Sequence, residues 1–155
     1  MADRVFYGAS ALGEHGMVWV MLACVRGLRG QRHWRAALRG IVGVGVESVI
    51  VNGGIKSLFR RSRPVVEVVR PLPLRIPMTS SFPSGHASSA FFSARLLSDG
   101  DPALAPFYYG LAVLVATSRI YVKIHHATDV LAGAAVGATL GSIARRVVPL
   151  EPHPR

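Results

Sequence analysis

Five apolar stretches, separated by connections rich in arginine, glycine and proline, constrain this chain of 155 residues more than any other feature. They cover residues 5–25, 36–59, 84–98, 103–122 and 125–148. A helix needs about 20 mostly apolar residues to cross a bilayer. Four of the stretches reach that length, whereas 84–98 falls short and is expected to lie tilted or partly in the interface. Half of the residues are hydrophobic and only 17% are charged. The chain therefore reads as all-α, an integral-membrane helical bundle of about five transmembrane helices. One domain, 1–155, is expected, with no linker or internal repeat. "MADRVFYGAS" lacks a basic region followed by a cleavage site, so no cleaved signal peptide is expected. The net charge of +10 would suit nucleic acid. Most basic residues, however, lie between the apolar runs, as membrane-flanking arginines do, so nucleic acid is not expected as a partner. Membrane lipids are, and self-association is left open. Cys24, alone in an apolar run, excludes an intrachain disulfide and is expected to be inert packing.

Three polar segments carry the chemistry. In "SSFPSGHASSAFF" (80–92), Ser84 is a good N-cap for a helix beginning at Gly85. The first turn of any helix presents N–H groups that lack carbonyl partners, and with the helix dipole they form a ready anion site. "KSLFRRSRP" brings Lys56 and Arg63 to the end of the second span, and four prolines between Arg60 and Pro83 forbid one continuous helix there. "SRIYVKIHHATD" brings Ser118 and Arg119 to the end of the fourth span, with His125 and Asp129 opening the fifth. Four residues apart on a helix, His125 and Asp129 share a face and can hydrogen-bond. A carboxylate that holds one imidazole nitrogen leaves the other free to act. Alternating connections bring all three segments to one membrane side. There Lys56, Arg63 and Arg119 can meet a phosphate beside His86 and His125. This set fits phosphoryl transfer through a phosphohistidine.

Lys56-x6-Arg63-Pro64, Pro83-Ser84-Gly85-His86 and Ser118-Arg119-x5-His125-x3-Asp129 resemble the three-part signature of the type-2 phosphatidic acid phosphatase family. Its members are membrane lipid phosphate phosphatases related to vanadium haloperoxidases. All three parts are complete and in order. The resemblance implies His125 as nucleophile, Asp129 as its orienting partner and His86 as the acid that protonates the leaving group. Lys56, Arg63, Ser84, Gly85 and Arg119 would form the phosphate cradle, with no metal and no cofactor. The family's usual core has six helices; five are counted here, and the missing one would precede the first span. Two other readings compete: a vanadate-dependent haloperoxidase, which is typically soluble and larger, and a non-enzymatic assembly subunit with a decayed site, which should have lost one of the eight residues.

Outside the signature, Arg60 and Arg61 read as interfacial anchors, His126 as a bystander, and Tyr121 and Lys123 as rim residues. Glu47 is ionisable in mid-span, where an unpaired charge is costly. Glu14 and His15 interrupt the first span at a depth the sequence leaves open. With five spans, Arg26, Arg29, Arg32, Arg35 and Arg39 share a side with Arg145, Arg146 and Arg155. Against them stand Arg4, Arg60, Arg61, Arg70, Arg75 and Lys123, once the basic cradle residues are set aside. The excess places the arginine-rich connection in the cytoplasm and the pocket outside it. Among substrates the family implies phosphatidate, phosphatidylglycerol phosphate and polyprenyl phosphates. Sixteen Arg against two Lys suggests a GC-rich bacterial genome, so a plasma-membrane enzyme acting on a polyprenyl carrier is the first expectation.

Overall fold

A computed structural model of the protein describes residues 1–65 and 70–150. Residues 66–69 and 151–155 lie outside the description, Arg155 among them, as do the side chains of His15 and Arg32. Six α-helices follow one another: α1 (Ala2–Leu12), α2 (Met17–Gly27), α3 (Gln31–Ser48), α4 (Gly85–Gly100), α5 (Ala105–Tyr121) and α6 (Ala127–Val147). Every regular element among the described residues is helical. Among the described residues, three stretches are long and apolar enough to cross a membrane: His33–Leu58, Pro102–Tyr121 and Ala127–Val147. Taken together as one broken span, α1 and α2 make a fourth.

Three expectations need correction. Residues 5–25 are not one helix, because α1 and α2 meet at a bend of 72° around a 3₁₀ turn, Glu14–Gly16. Gly16 takes φ +70°, a left-handed conformation that glycine reaches without strain, and this lets the chain turn. The arginine-rich stretch is not a loop either. Only Leu28–Gly30 separates α2 from α3, and Arg26 and Arg39 point inward from those helices. Cys24, thirdly, is exposed on α2 instead of packed.

Helix α4, expected to lie tilted or partly in the interface, packs against α3, α5 and α6. Its buried residues include Ser88, Ser89, Ser93 and Ser98, so it is too polar to be read as a span from hydropathy. What admits it is α6, whose Gly133, Gly137 and Gly141 form a stripe of small residues facing α4. A side chain on Gly133 would strike the Ser84 carbonyl, and one on Gly137 the Ser88 carbonyl. The last turn of α4 is met by two buried arginines, in addition to the Asp101 N–H that caps the Leu97 carbonyl at 3.0 Å. Arg26 Nη1 donates to the Leu97 carbonyl at 2.7 Å and Arg39 Nη2 to that of Leu96 at 3.3 Å. Arg39 also pairs with Asp99 at 2.8 Å. Cations belong at the negative end of a helix dipole, so these two residues hold the helix.

The helix contact is testable with two alanines. Gly137→Ala should destabilise the protein by about 1–3 kcal/mol, the usual cost of overpacking. Gly110→Ala on α5 has open space within 4 Å of its new methyl and should be neutral or stabilising. Unfolding of both variants in detergent micelles checks the difference.

Candidate active site

Lys56 reaches the interior because α3 does not continue as an α-helix. Val49–Gly54 forms a π-helical segment and Ile55–Leu58 a 3₁₀ turn. Glu47 and Val51 are buried, four residues apart, and an uninterrupted α-helix would carry that stripe on to residues 54 and 55. The π segment inserts one residue per turn, so the next buried side chain is Lys56. Asn52-Gly53-Gly54, all poor helix formers, lie where the helix changes.

The proline-rich segment then folds back on itself. Ser81 N–H donates to the Arg61 carbonyl at 2.9 Å, and Arg61 N–H to Ser80 Oγ at 3.2 Å. Inside this return Arg63 is held by carbonyls: Nε donates to Pro77 O at 3.0 Å, Nη2 to Thr79 O at 3.1 Å and Nη1 to Ile124 O at 3.1 Å. Its Nη1 also lies 3.3 Å from His125 Nε2.

Helix α4 begins as expected. Ser84 is its N-cap, with Oγ accepting from Ala87 N–H at 3.4 Å. Ser84 N–H donates to the Asp129 carbonyl at 2.9 Å, which ties the start of α4 to the start of α6. Gly85 follows, with Asn52 so close that a Cβ there would lie 2.6 Å from Asn52 Oδ1. The ring of His86, in the first turn, packs against Gly13 at the α1–α2 bend. Arg119 is buried near the end of α5, and its guanidinium donates to Ser10 Oγ of α1. Its carbonyl accepts from the N–H groups of Ile124 and His125, both at 3.1 Å, closing the turn that carries the histidine.

His125 therefore stands just before α6, not on it. Asp129 is the third residue of the helix, where its side chain completes a capping box with His126. Asp129 Oδ2 accepts from Ser81 Oγ at 2.6 Å and from His126 N–H at 2.9 Å. His125 Nδ1 is 3.6 Å from the same oxygen and 3.3 Å from Ser81 Oγ. Arg61 pairs with Oδ1 at 2.9 Å. Ser81 and Arg61 were not among the expected site residues. Arg61 reads as an anchor, and Ser81 reaches Asp129 only through the fold of 61–81, which local spacing does not reveal. His126 likewise has a capping role. Glu47 accepts from Ser88 Oγ and lies within electrostatic reach of Lys56, and Glu14 pairs with Arg75 at 3.7 Å.

Burial, and then the charges of Arg63, Arg119 and Lys56, push His125 well below its ordinary value of 6.5, against an opposing pull from Asp129. The ring is thus neutral at pH 7. Arg63 can only donate, so Nε2 must carry the lone pair and Nδ1 the proton. A groove of about 1070 Å³ between α3 and α6 is lined by apolar residues together with Gln31, Arg35, Arg39 and Glu47, and by none of the eight signature residues.

A ¹⁵N-histidine NMR titration in micelles checks this electrostatic picture. The His125 ring should remain neutral, with Nδ1 protonated, as pH falls through 6.5. Over that interval the unfolded chain takes up a proton that the folded ring refuses, so stability should decline as pH drops. Arg63→Gln removes one of the cations and should raise the midpoint. A ring that titrates at or above 6.5 would contradict the assignment.

The chain has clear relatives. The sequence pattern of the PAP2 superfamily matches residues 34–151. Decaprenylphosphoryl-5-phosphoribose phosphatase of Mycobacterium tuberculosis is 34% identical over 139 residues, covering 88% of this chain and 75% of its own length. Its namesake from Mycolicibacterium smegmatis is 35% identical over 135 residues, covering 83% and 71%. Among solved structures, a transmembrane PAP2-type phosphatidylglycerolphosphate phosphatase from Bacillus subtilis superposes with a TM-score of 0.71 at 25% identity, over 94% of this chain and 76% of its own. An all-helical membrane fold, the three-part signature in order, and relatives matched over most of the sequence agree: the chain belongs to the PAP2 superfamily.

Proposed function

We propose that this protein, a membrane lipid phosphatase, hydrolyses the terminal phosphate of a polyprenyl-phosphate-linked sugar through a phosphohistidine on His125. The observation that carries the mechanism is the neutral, buried imidazole whose Nε2 faces Arg63 while Lys56 and Arg119 act on the same ring. Nε2 attacks phosphorus and the bond to the leaving oxygen breaks, with His86 giving that oxygen its proton. Water then attacks the phosphohistidine, His86 takes a proton from it, and inorganic phosphate leaves. Lys56, Arg63, Arg119 and the N–H groups at the Ser84–Gly85 helix start balance the charge that grows on the phosphoryl oxygens. Asp129 keeps the nucleophile's other nitrogen protonated. The cradle supplies its positive charge from side chains and backbone, so no metal or cofactor is required. One catalytic domain spans the chain.

The substrate class is supported by the mycobacterial relatives, whose names specify a decaprenyl-linked phosphoribose, and by identity over most of the chain. The proposed setting is the plasma membrane of a bacterium with the pocket on the extracytoplasmic side. Arg26 and Arg39 are structural, as is Arg61 on the other side, so the remaining charge excess rests on Arg29, Arg32, Arg35, Arg145, Arg146 and Arg155.

Phosphate release from a panel of purified lipid phosphates tests the reading. Turnover should be highest on the polyprenyl-linked sugar phosphate and should survive EDTA. His125→Ala should abolish it, and Asp129→Asn should slow it by roughly 10²–10⁴ with the fold retained. Wild-type turnover in His125→Ala, or loss in EDTA restored by Mg²⁺, would overturn the mechanism. Orientation is read separately, in a Cys24→Ser background. A cysteine at Arg75 should react with an impermeant maleimide in intact cells, and one at Arg146 only after lysis.

A further inference from the structure

We infer that Ser81 is a positioning residue whose hydroxyl relays the coupling between His125 and Asp129, so that the working unit is His–Ser–Asp and not a direct His–Asp pair. The inference rests on His125 being the nucleophile. At 3.6 Å, His125 Nδ1 and Asp129 Oδ2 are too far apart for a hydrogen bond. Ser81 Oγ lies between them, 3.3 Å from Nδ1 and 2.6 Å from Oδ2.

The direction of the chain of protons follows from counting donors. Ser81 has one hydroxyl proton, and the 2.6 Å contact to a carboxylate claims it, that being the length of a charge-assisted O–H···O⁻ bond. Oγ then has only lone pairs to offer Nδ1, and it accepts the Nδ1–H. The same tautomer is imposed from the opposite edge of the ring by Arg63, which donates toward Nε2. Two independent contacts therefore fix the lone pair on the nitrogen that must attack. When Nε2 takes the phosphoryl group the ring becomes cationic. Its charge is then shared along Nδ1–H to Ser81 and on to Asp129, and no proton needs to move.

The backbone shows why Ser81 stays in place. Its N–H is bonded to the Arg61 carbonyl, and the Arg61 guanidinium is paired with the other oxygen of Asp129. One return of the chain thus grips the carboxylate on both oxygens. Ser81 is fully buried.

A double-mutant cycle with Asp129→Asn tests the relay. Ser81→Ala should lower kcat by about 10–10² while KM stays within about threefold, because the phosphate cradle is untouched. Combined with Asp129→Asn, it should be no slower than Asp129→Asn alone, since both break the same chain. Ser81→Cys fills the space but donates weakly, and should lose as much as alanine; it also serves if Ser81→Ala fails to fold. Losses that multiply in the double variant, or wild-type kcat in a folded Ser81→Ala or Ser81→Cys, would overturn the relay. Alkaline-quenched labelling with a ³²P lipid phosphate separates the premises. Absence of phosphohistidine at His125 in the wild type sinks the nucleophile assignment, whereas a labelled His125 with additive variants sinks only the relay.

Discussion

The approach of α6 to α4 governs the geometry of the site. Gly133 and Gly137 place the backbone of α6 against the carbonyls of Ser84 and Ser88, closer than any side chain would allow. In a bilayer such packing must hold helices together without the hydrophobic drive available in water. That register brings the two helix starts side by side, where Ser84 N–H meets the Asp129 carbonyl. The start of α4 and the turn before α6 that carries His125 are thereby set against each other by backbone contact. A shift of one residue along the glycine stripe would separate them.

Charge is distributed to suit this arrangement. At the site, the charges of Lys56, Arg63 and Arg119 act on one imidazole, which burial and these cations keep neutral. The compensating acidic group, Asp129, is fully buried and gripped by Ser81, His126 and Arg61, so its charge is fixed in direction. At the opposite end, Arg26 and Arg39 meet the negative end of α4, with Asp99 and Asp101 facing Arg39 and Arg29. The same residue type thus surrounds the buried histidine at one end and meets the helix terminus at the other.

Much of this was legible in the sequence, because the signature residues act through local geometry. The N-cap at Ser84, the fourth and fifth spans, and the small-residue face of α6 all follow from short-range rules. The central place of α4 did not follow, since its serines look exposed until neighbouring helices surround them. Nor did the bend at Gly13–Gly16, where two glycines outweigh the length of an apolar run. Four-residue spacing put His125 and Asp129 on one helix face, yet α6 starts after His125 and Ser81 fills the gap. Arg61 and Ser81 became visible only when the fold joined residues twenty positions apart in the chain. Lys56 shows both sides: its identity was readable, but its inward direction depends on the π segment.

A crystal structure of the protein with orthovanadate measures the convergence on His125 most directly, since five-coordinate vanadate imitates phosphoryl transfer. Vanadium should be bonded to His125 Nε2, with its oxygens met by Lys56, Arg63, Arg119 and the N–H groups at the start of α4. Vanadate bonded to His86, or bound away from both histidines, would contradict the assignment of the nucleophile and the cradle around it.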